Sequence, residues 1–219
     1  APHYPLQAPE ADVRKYRGRY LKGWEAVRQA RIRKMYALGV LPAGAEACSS
    51  EGYRLDEWDV LTAEQKDWQD LLMATYAAMV DRMDQEIGRV IAQLKKMGQF
   101  ENTLIFFASD NGASAEIMVR NGGHDPKVPP GSAASYLCLG PGFSSACNTP
   151  FRRHKVWVHE GGISSPCIIH WPKIIRTPST TDVVAHLIDL MPTFSDAGNA
   201  KRPTSEGLSL LPVFTGSDL

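Results

Sequence analysis

Asn102-Thr103-Leu104-Ile105-Phe106-Phe107-Ala108-Ser109-Asp110-Asn111-Gly112 is the stretch on which the fold turns. Its first part is a nearly uninterrupted apolar run of strand length. Such a run suits a strand covered on both faces, as in a mainly parallel sheet flanked by helices. Ser109 to Gly112 then sit at the carboxyl end of that strand, the edge where open α/β sheets bind ligands. Asp110 and Asn111 offer adjacent hard oxygens, better suited to Ca²⁺ or Mg²⁺ than to a soft metal. Gly112 lets the chain turn sharply and pass close to a ligand. Asp, Asn and Gly also favour turns for their own sake, so the tetrapeptide alone reads either way.

Upstream, Thr62 and Gln65 form a capping box. Leu72, Tyr76, Met79, Met83, Ile87, Val90, Ile91 and Leu94 then mostly step by three or four, which predicts a long amphipathic helix with a core-facing stripe. Lys95, Lys96 and Gly98 match the favoured helix ending. Further back, Val13, Tyr16, Tyr20, Trp24 and Val27 predict a helix from Asp12 to about Tyr36, stopped by Gly39. Its Arg28, Arg31, Arg33 and Lys34 read as a solvated basic face. Residues 1–11, with three prolines, read as an irregular lead-in, and 39–61 as a mixed connection.

Downstream, 136–139 and 167–171 are strand candidates, and 181–189 a helix ended by Pro192. The interval from Gly112 to Arg153, rich in Gly, Pro, Ser and Asn, reads as mostly loop, and a loop that long is often functional. Helix, buried strand, loop, strand and helix make an α/β order. Pro150-Phe151-Arg152-Arg153-His154-Lys155 concentrates cations ahead of Glu160-Gly161-Gly162-Ile163. Lys155 suits a tetrahedral anion as a compact three-donor charge, and a basic surface loop is the plain alternative. His3, within Pro2-His3-Tyr4-Pro5, is either an ordinary packed histidine or, facing a site, an acid or base near neutral pH.

The 219 residues are 43% hydrophobic and 22% charged, with 24 Lys and Arg balancing 24 Asp and Glu. That balance argues against a nucleic-acid partner, while one anion needs only a cation or two. No apolar run approaches the ~18 residues of a membrane span. The start lacks both Met and a signal-peptide layout, and the tail lacks a closing element, so both ends read as the inside of a longer protein. Cys48, Cys138, Cys147 and Cys167 form no CxxC pair and permit three disulfide pairings or four free thiols.

Taken in order, these segments resemble the type I sulfatases, nearest in flavour to the bacterial arylsulfatases. The resemblance runs through Ala1 to Pro9, the helix around Tyr76 to Gly88, and the strand and turn at 102–112. It continues through Pro150 to Lys155 with Glu160 to Ile163 and Pro166, then Asp189-Leu190-Met191-Pro192-Thr193, and Gly207 to Pro212. It implies an alkaline-phosphatase-like α/β core, residues 1–219 being the middle and later part of one catalytic domain. It also implies cleavage of sulfate monoesters, with a small-molecule or sugar sulfate as substrate and a periplasmic or secreted location. Asp110 and Asn111 would then ligate a divalent cation, usually Ca²⁺. Lys155 would hold a sulfate oxygen, and His3 would contact the sulfate or protonate the departing oxygen.

The sequence departs from that family in one essential. A formylglycine nucleophile arises from Cys or Ser in a Cys-x-Pro-x-Arg-like motif, and in Cys147-Asn148-Thr149-Pro150-Phe151-Arg152 the Pro and Arg are each displaced by one. The nucleophile is therefore expected in an N-terminal segment outside this chain, and the isolated chain is expected to be inactive and to bind calcium weakly or not at all. Val156 stands where Gly is common, and Ser164 where Arg is. Rival readings are a phosphodiesterase or phosphonate hydrolase of the same superfamily, or a non-catalytic relic. The geometric expectation is that His3, Lys155, Asp110 and Asn111 converge on one cleft.

Overall fold

The computed structural model describes residues 2–42, 44–46, 48, 58–117, 124–202 and 204–217. Parts of the connection at 39–61 and of the loop at 112–153 lie outside these, as do Ala1, Asp218 and Leu219. The chain divides into two units, residues 1–89 with 111–165, and residues 90–110 with 166–219.

The first unit is built on α3 (Ala63–Lys96), which continues into the second. The capping box is present: Thr62 N donates to Gln65 Oε1 at 2.8 Å and Gln65 N to Thr62 Oγ1 at 3.2 Å. At the other end Gly98, with φ +67°, donates to Lys95 O, and Gln99 donates to Leu94 O. This is the double closure of a left-handed C-terminal cap. Leu72, Met73, Ala74 and Ala78 are buried, and Tyr76 and Met79 pack on the same cores.

The single helix expected from Asp12 to Tyr36 is instead two, α1 (Glu10–Arg14) and α2 (Gly23–Ala37). Gly18 and Gly23, at φ +80° and +85°, take the chain out of helical geometry between them. A buried carboxylate from α3 holds the break: Asp70 accepts from Gly18 N and Tyr20 N, both at 2.8 Å, and pairs with Arg17. Two backbone bonds to a buried carboxylate outweigh the apolar periodicity that favoured one continuous helix. The basic face of α2 is likewise only partly solvated. Arg28 is buried and donates to Thr149 Oγ1 at 3.2 Å, and Arg31 donates to Thr149 O at 2.9 Å.

The interval read as loop contains a further helix, α4 (Gly140–Asn148). Gly140, Pro141 and Gly142 look like breakers in sequence, yet Pro is well tolerated in a first turn. A Cβ on Gly142 would lie 2.4 Å from the Trp24 ring, so this glycine serves the close packing of α2 on α4. Phe143 is fully buried there, among Met73, Leu139, Tyr20, Trp24 and Trp58. Residues 136–139 are not a strand. They are a packed segment without regular structure, with Leu137 O accepting from Leu6 N at 2.8 Å.

In the second unit β1 (Ile105–Ala108) pairs with β2 (Cys167–His170) in antiparallel register, Ile105 opposite His170 and Ala108 opposite Cys167. The expected parallel arrangement is absent among the described strands. An apolar run reports that a strand's faces can be covered, whereas the path of the chain between strands sets their direction. Coverage is also incomplete: Phe107 is 42% and Ile168 64% exposed. The helix expected at 181–189 is displaced to α6 (Leu190–Ala197), preceded by a 3-10 turn. Pro192 lies inside its first turn rather than ending it.

The two late motifs meet beside α6. Asp189 Oδ1 accepts from Leu208 N at 2.8 Å, and Thr193 Oγ1 accepts from Leu210 N at 2.9 Å. The short helices α5 (Glu160–Ile163) and α7 (Leu211–Phe214) complete the elements. Among the described residues no helix is long and apolar enough to cross a membrane.

Candidate active site

His3 and Lys155, 152 positions apart, come together in the first unit with Nε2 and Nζ 2.9 Å apart. His3 Nδ1 lies 3.1 Å from the carbonyl of Tyr4. A carbonyl only accepts, so Nδ1 carries the proton in this arrangement, and Nε2 offers its lone pair to the Lys155 ammonium.

Lys155 stands on a tight backbone knot. Arg153 and Val156 on either side of it have φ +68° and +74°. Left-handed geometry is costly for a β-branched residue, which explains physically why glycine is common at the position of Val156. Lys155 N donates to Ala113 O at 3.1 Å, Gly112 N to Gly162 O at 3.0 Å, and Gly161 N to Arg152 O at 2.8 Å.

Close backbone approach makes three glycines obligatory. A Cβ on Gly112 would lie 1.7 Å from Gly161 O, one on Gly161 2.1 Å from Arg153 O, and one on Gly162 1.9 Å from Trp157 O. Gly112 was expected to turn the chain and let it pass close to a ligand. What it passes close to is the backbone of the lysine loop.

One side chain that sequence reading overlooked ties these segments together. Asn148, the last residue of α4, accepts from Ala113 N at 2.8 Å and donates from Nδ2 to Arg153 O at 3.0 Å and Gly161 O at 2.8 Å. The only signal in sequence was an Asn two places before Pro150, inside a motif whose interest lay in its cysteine. Burial pushes the thiol of that cysteine, Cys147, up to about 11. None of the four cysteines is disulfide-bonded. Nearby, burial and then the Arg153 guanidinium lower the pKa of His154, and Arg153 itself lies over the Trp157 ring at 4.4 Å.

Asp110 is exposed, two residues beyond β1, and is the last residue of its segment in the second unit. Asn111, half-buried, begins the returning segment of the first. His3, Lys155 and the Asn111 to Ala113 segment thus belong to one unit. Asp110 and Asn111 have the hardness a Ca²⁺ or Mg²⁺ ion favours, but calcium takes about six to eight oxygens. Among the described residues no group of three or more His, Cys, Asp or Glu side chains could hold a metal.

The sulfatase family model matches residues 1–200. The chain is similar to an uncharacterized sulfatase of Schizosaccharomyces pombe, 34% identical over 93% of this chain and 38% of that protein. It is also similar to an arylsulfatase of Klebsiella aerogenes, 32% identical over 88% of this chain and 43% of that one. The chain thus spans about two fifths of the length of these relatives. Among solved structures, one in complex with its substrate D-glucosamine-2-N,6-O-disulfate matches at 25% identity and a TM-score of 0.49, over 73% of this chain and 26% of that one.

Proposed function

The chain belongs to the sulfatase family, and from that premise we propose that it is the part of a sulfuric-ester hydrolase that grips the sulfate and serves the leaving oxygen. The observation that carries this reading is the 2.9 Å contact between Lys155 Nζ and His3 Nε2, which sets a fixed cation against a proton-transfer group.

A sulfate monoester brings a compact anion whose charge moves onto the leaving oxygen as the sulfur–oxygen bond breaks. Lys155 offsets the sulfate charge with oriented N–H donors. Anion binding turns the ammonium toward a sulfate oxygen and frees Nε2 of His3. The freed Nε2 takes up a proton from solvent and passes it to the departing oxygen, giving a neutral alcohol or phenol and returning His3 to the neutral ring protonated at Nδ1. The carbonyl of Tyr4 keeps the ring oriented throughout.

Asp110 and Asn111 are proposed donors to a divalent cation, Ca²⁺ in this reading, which when bound would supply positive charge to offset that of a sulfate ester. The formylglycine nucleophile is proposed to lie outside these residues, as none of the four cysteines fits its motif. The proposed substrate is a small-molecule or sugar sulfate ester, and the proposed location periplasmic or secreted.

The test is hydrolysis of a chromogenic aryl sulfate by the protein in its complete coding context, beside Lys155→Ala. We expect the variant to lose at least about a hundredfold in turnover, the scale of losing one electrostatic donor. A variant as active as the parent sinks the proposal.

A further inference from the structure

We propose that Asn148 is the positioning residue of this site, the group that sets Lys155 against His3. The proposal rests on the reading of that pair as the sulfate grip. Its evidence is one side chain serving three backbone groups, each belonging to a segment the site needs. Oδ1 takes the Ala113 N–H at 2.8 Å, while Nδ2 gives its two protons to Arg153 O at 3.0 Å and Gly161 O at 2.8 Å.

Ala113 is the relay. Its N–H is committed to Asn148 and its carbonyl accepts the Lys155 N–H at 3.1 Å. Arg153, whose carbonyl is the second anchor, lies two residues before Lys155. The backbone of Lys155 is therefore located from both directions by the same amide. The third anchor, Gly161 O, is the atom that a Cβ on Gly112 would strike. Asn148 thereby also holds the segment that carries Asn111 and Gly112 against the lysine loop.

The chemistry admits few substitutes. The site needs one acceptor and two donors on a short planar group, a set that only a carboxamide provides. Asn148→Asp is not a conservative change here: a carboxylate would keep the Ala113 bond but turn an acceptor oxygen toward two carbonyl oxygens. Gln is one methylene too long. Asn148 is itself held at the end of α4, where the next residue, Thr149, accepts from Arg28 and Arg31.

The decisive measurement is the NMR resonance of the His3 ring protons at fixed pH, in the unmutated chain and in Lys155→Ala, Asn148→Ala and Asn148→Asp. Loss of the Lys155 contact moves the His3 signal in Lys155→Ala. We expect both Asn148 variants to move it to the same place while amide signals from α1 to α3 stay put. A purely structural Asn148 would lower the unfolding temperature and leave the His3 signal where it is, and that result overturns the proposal.

Titration with inorganic sulfate separates this inference from the reading beneath it. Asn148→Ala is expected to weaken sulfate binding about tenfold, equivalent to about 1.4 kcal/mol. If the unmutated chain ignores sulfate, the sulfate grip fails, yet the His3 signal still decides the role of Asn148. Should the variants not fold, amide exchange in the unmutated chain decides instead. The Ala113 N–H must then be strongly protected, and exchange at the free-peptide rate overturns the proposal.

Discussion

Replacing Gly112 with Ala tests whether this glycine is present for a turn or for close approach. Its Cβ would lie 1.7 Å from Gly161 O, against a practical floor of 3.0 Å, so the two strands of backbone must part by about 1.3 Å. Such a displacement carries Gly112 N beyond hydrogen-bond reach of Gly162 O, now 3.0 Å away. The lost bond costs about 1 kcal/mol and the overpacking about 1–3 kcal/mol. The reduced freedom of the unfolded chain returns about 0.4–1 kcal/mol. The net expectation is a destabilisation of about 1–3.5 kcal/mol.

Gly39→Ala is the control. Gly39 has φ +67° with nothing within 4 Å of its added Cβ, so it reports left-handed strain alone, at about 1 kcal/mol or less after the same return. Urea unfolding followed by tryptophan fluorescence is suitable, since Trp24, Trp58, Trp68 and Trp157 all lie in the first unit. If Gly112→Ala costs no more than Gly39→Ala, the close-approach account is wrong.

Three further outcomes follow from particular groups. Val156→Gly relieves a β-branched residue at φ +74° that is 83% exposed, and should stabilise the first unit by about 0.5–1 kcal/mol in the same urea assay. Hydrogen bonds from Lys15 and then Arg82 hold the Asp12 carboxyl below the usual carboxylate range. Its contribution to stability is therefore present above the ordinary unfolded value of about 3.9 and lost as pH falls through the folded value. Asp12→Asn should flatten the stability curve below about pH 4, and an unchanged acid limb would count against this. With the Cys147 thiol pushed up to about 11, about one in a thousand is thiolate at pH 8. Iodoacetamide should label exposed Cys48 well before half-buried Cys147 in peptide mapping, and unfolding should bring Cys147 to the rate of Cys48.

Features that depend on near neighbours could be read before any coordinates. The capping box at Thr62 and Gln65 and the closure at Gly98 are legible because every partner lies within five residues. The run at 103–108 announced a strand for the same reason. The six motifs in order, from Ala1 to Pro9, through Asp110 and Asn111 and Pro150 to Lys155, to Gly207 to Pro212, were enough to indicate the family, because an ordered set of motifs is far more specific than its members.

Other features hang on groups distant in the chain, and folding alone settles them. Asp70 breaks one predicted helix into α1 and α2 because a buried carboxylate must find donors, and Gly18 and Tyr20 supply them. Trp24 explains why position 142 in α4 is a glycine, since a Cβ there would strike its ring. β1 and β2 run antiparallel because direction comes from the connecting path, which hydrophobicity does not encode. Asn148 becomes a hub only when Ala113, Arg153 and Gly161 are brought to it, and His3 becomes more than a histidine among prolines only when Lys155 arrives 2.9 Å away. Side-chain identity states what a group can bond to, and only the folded chain states which groups are within reach.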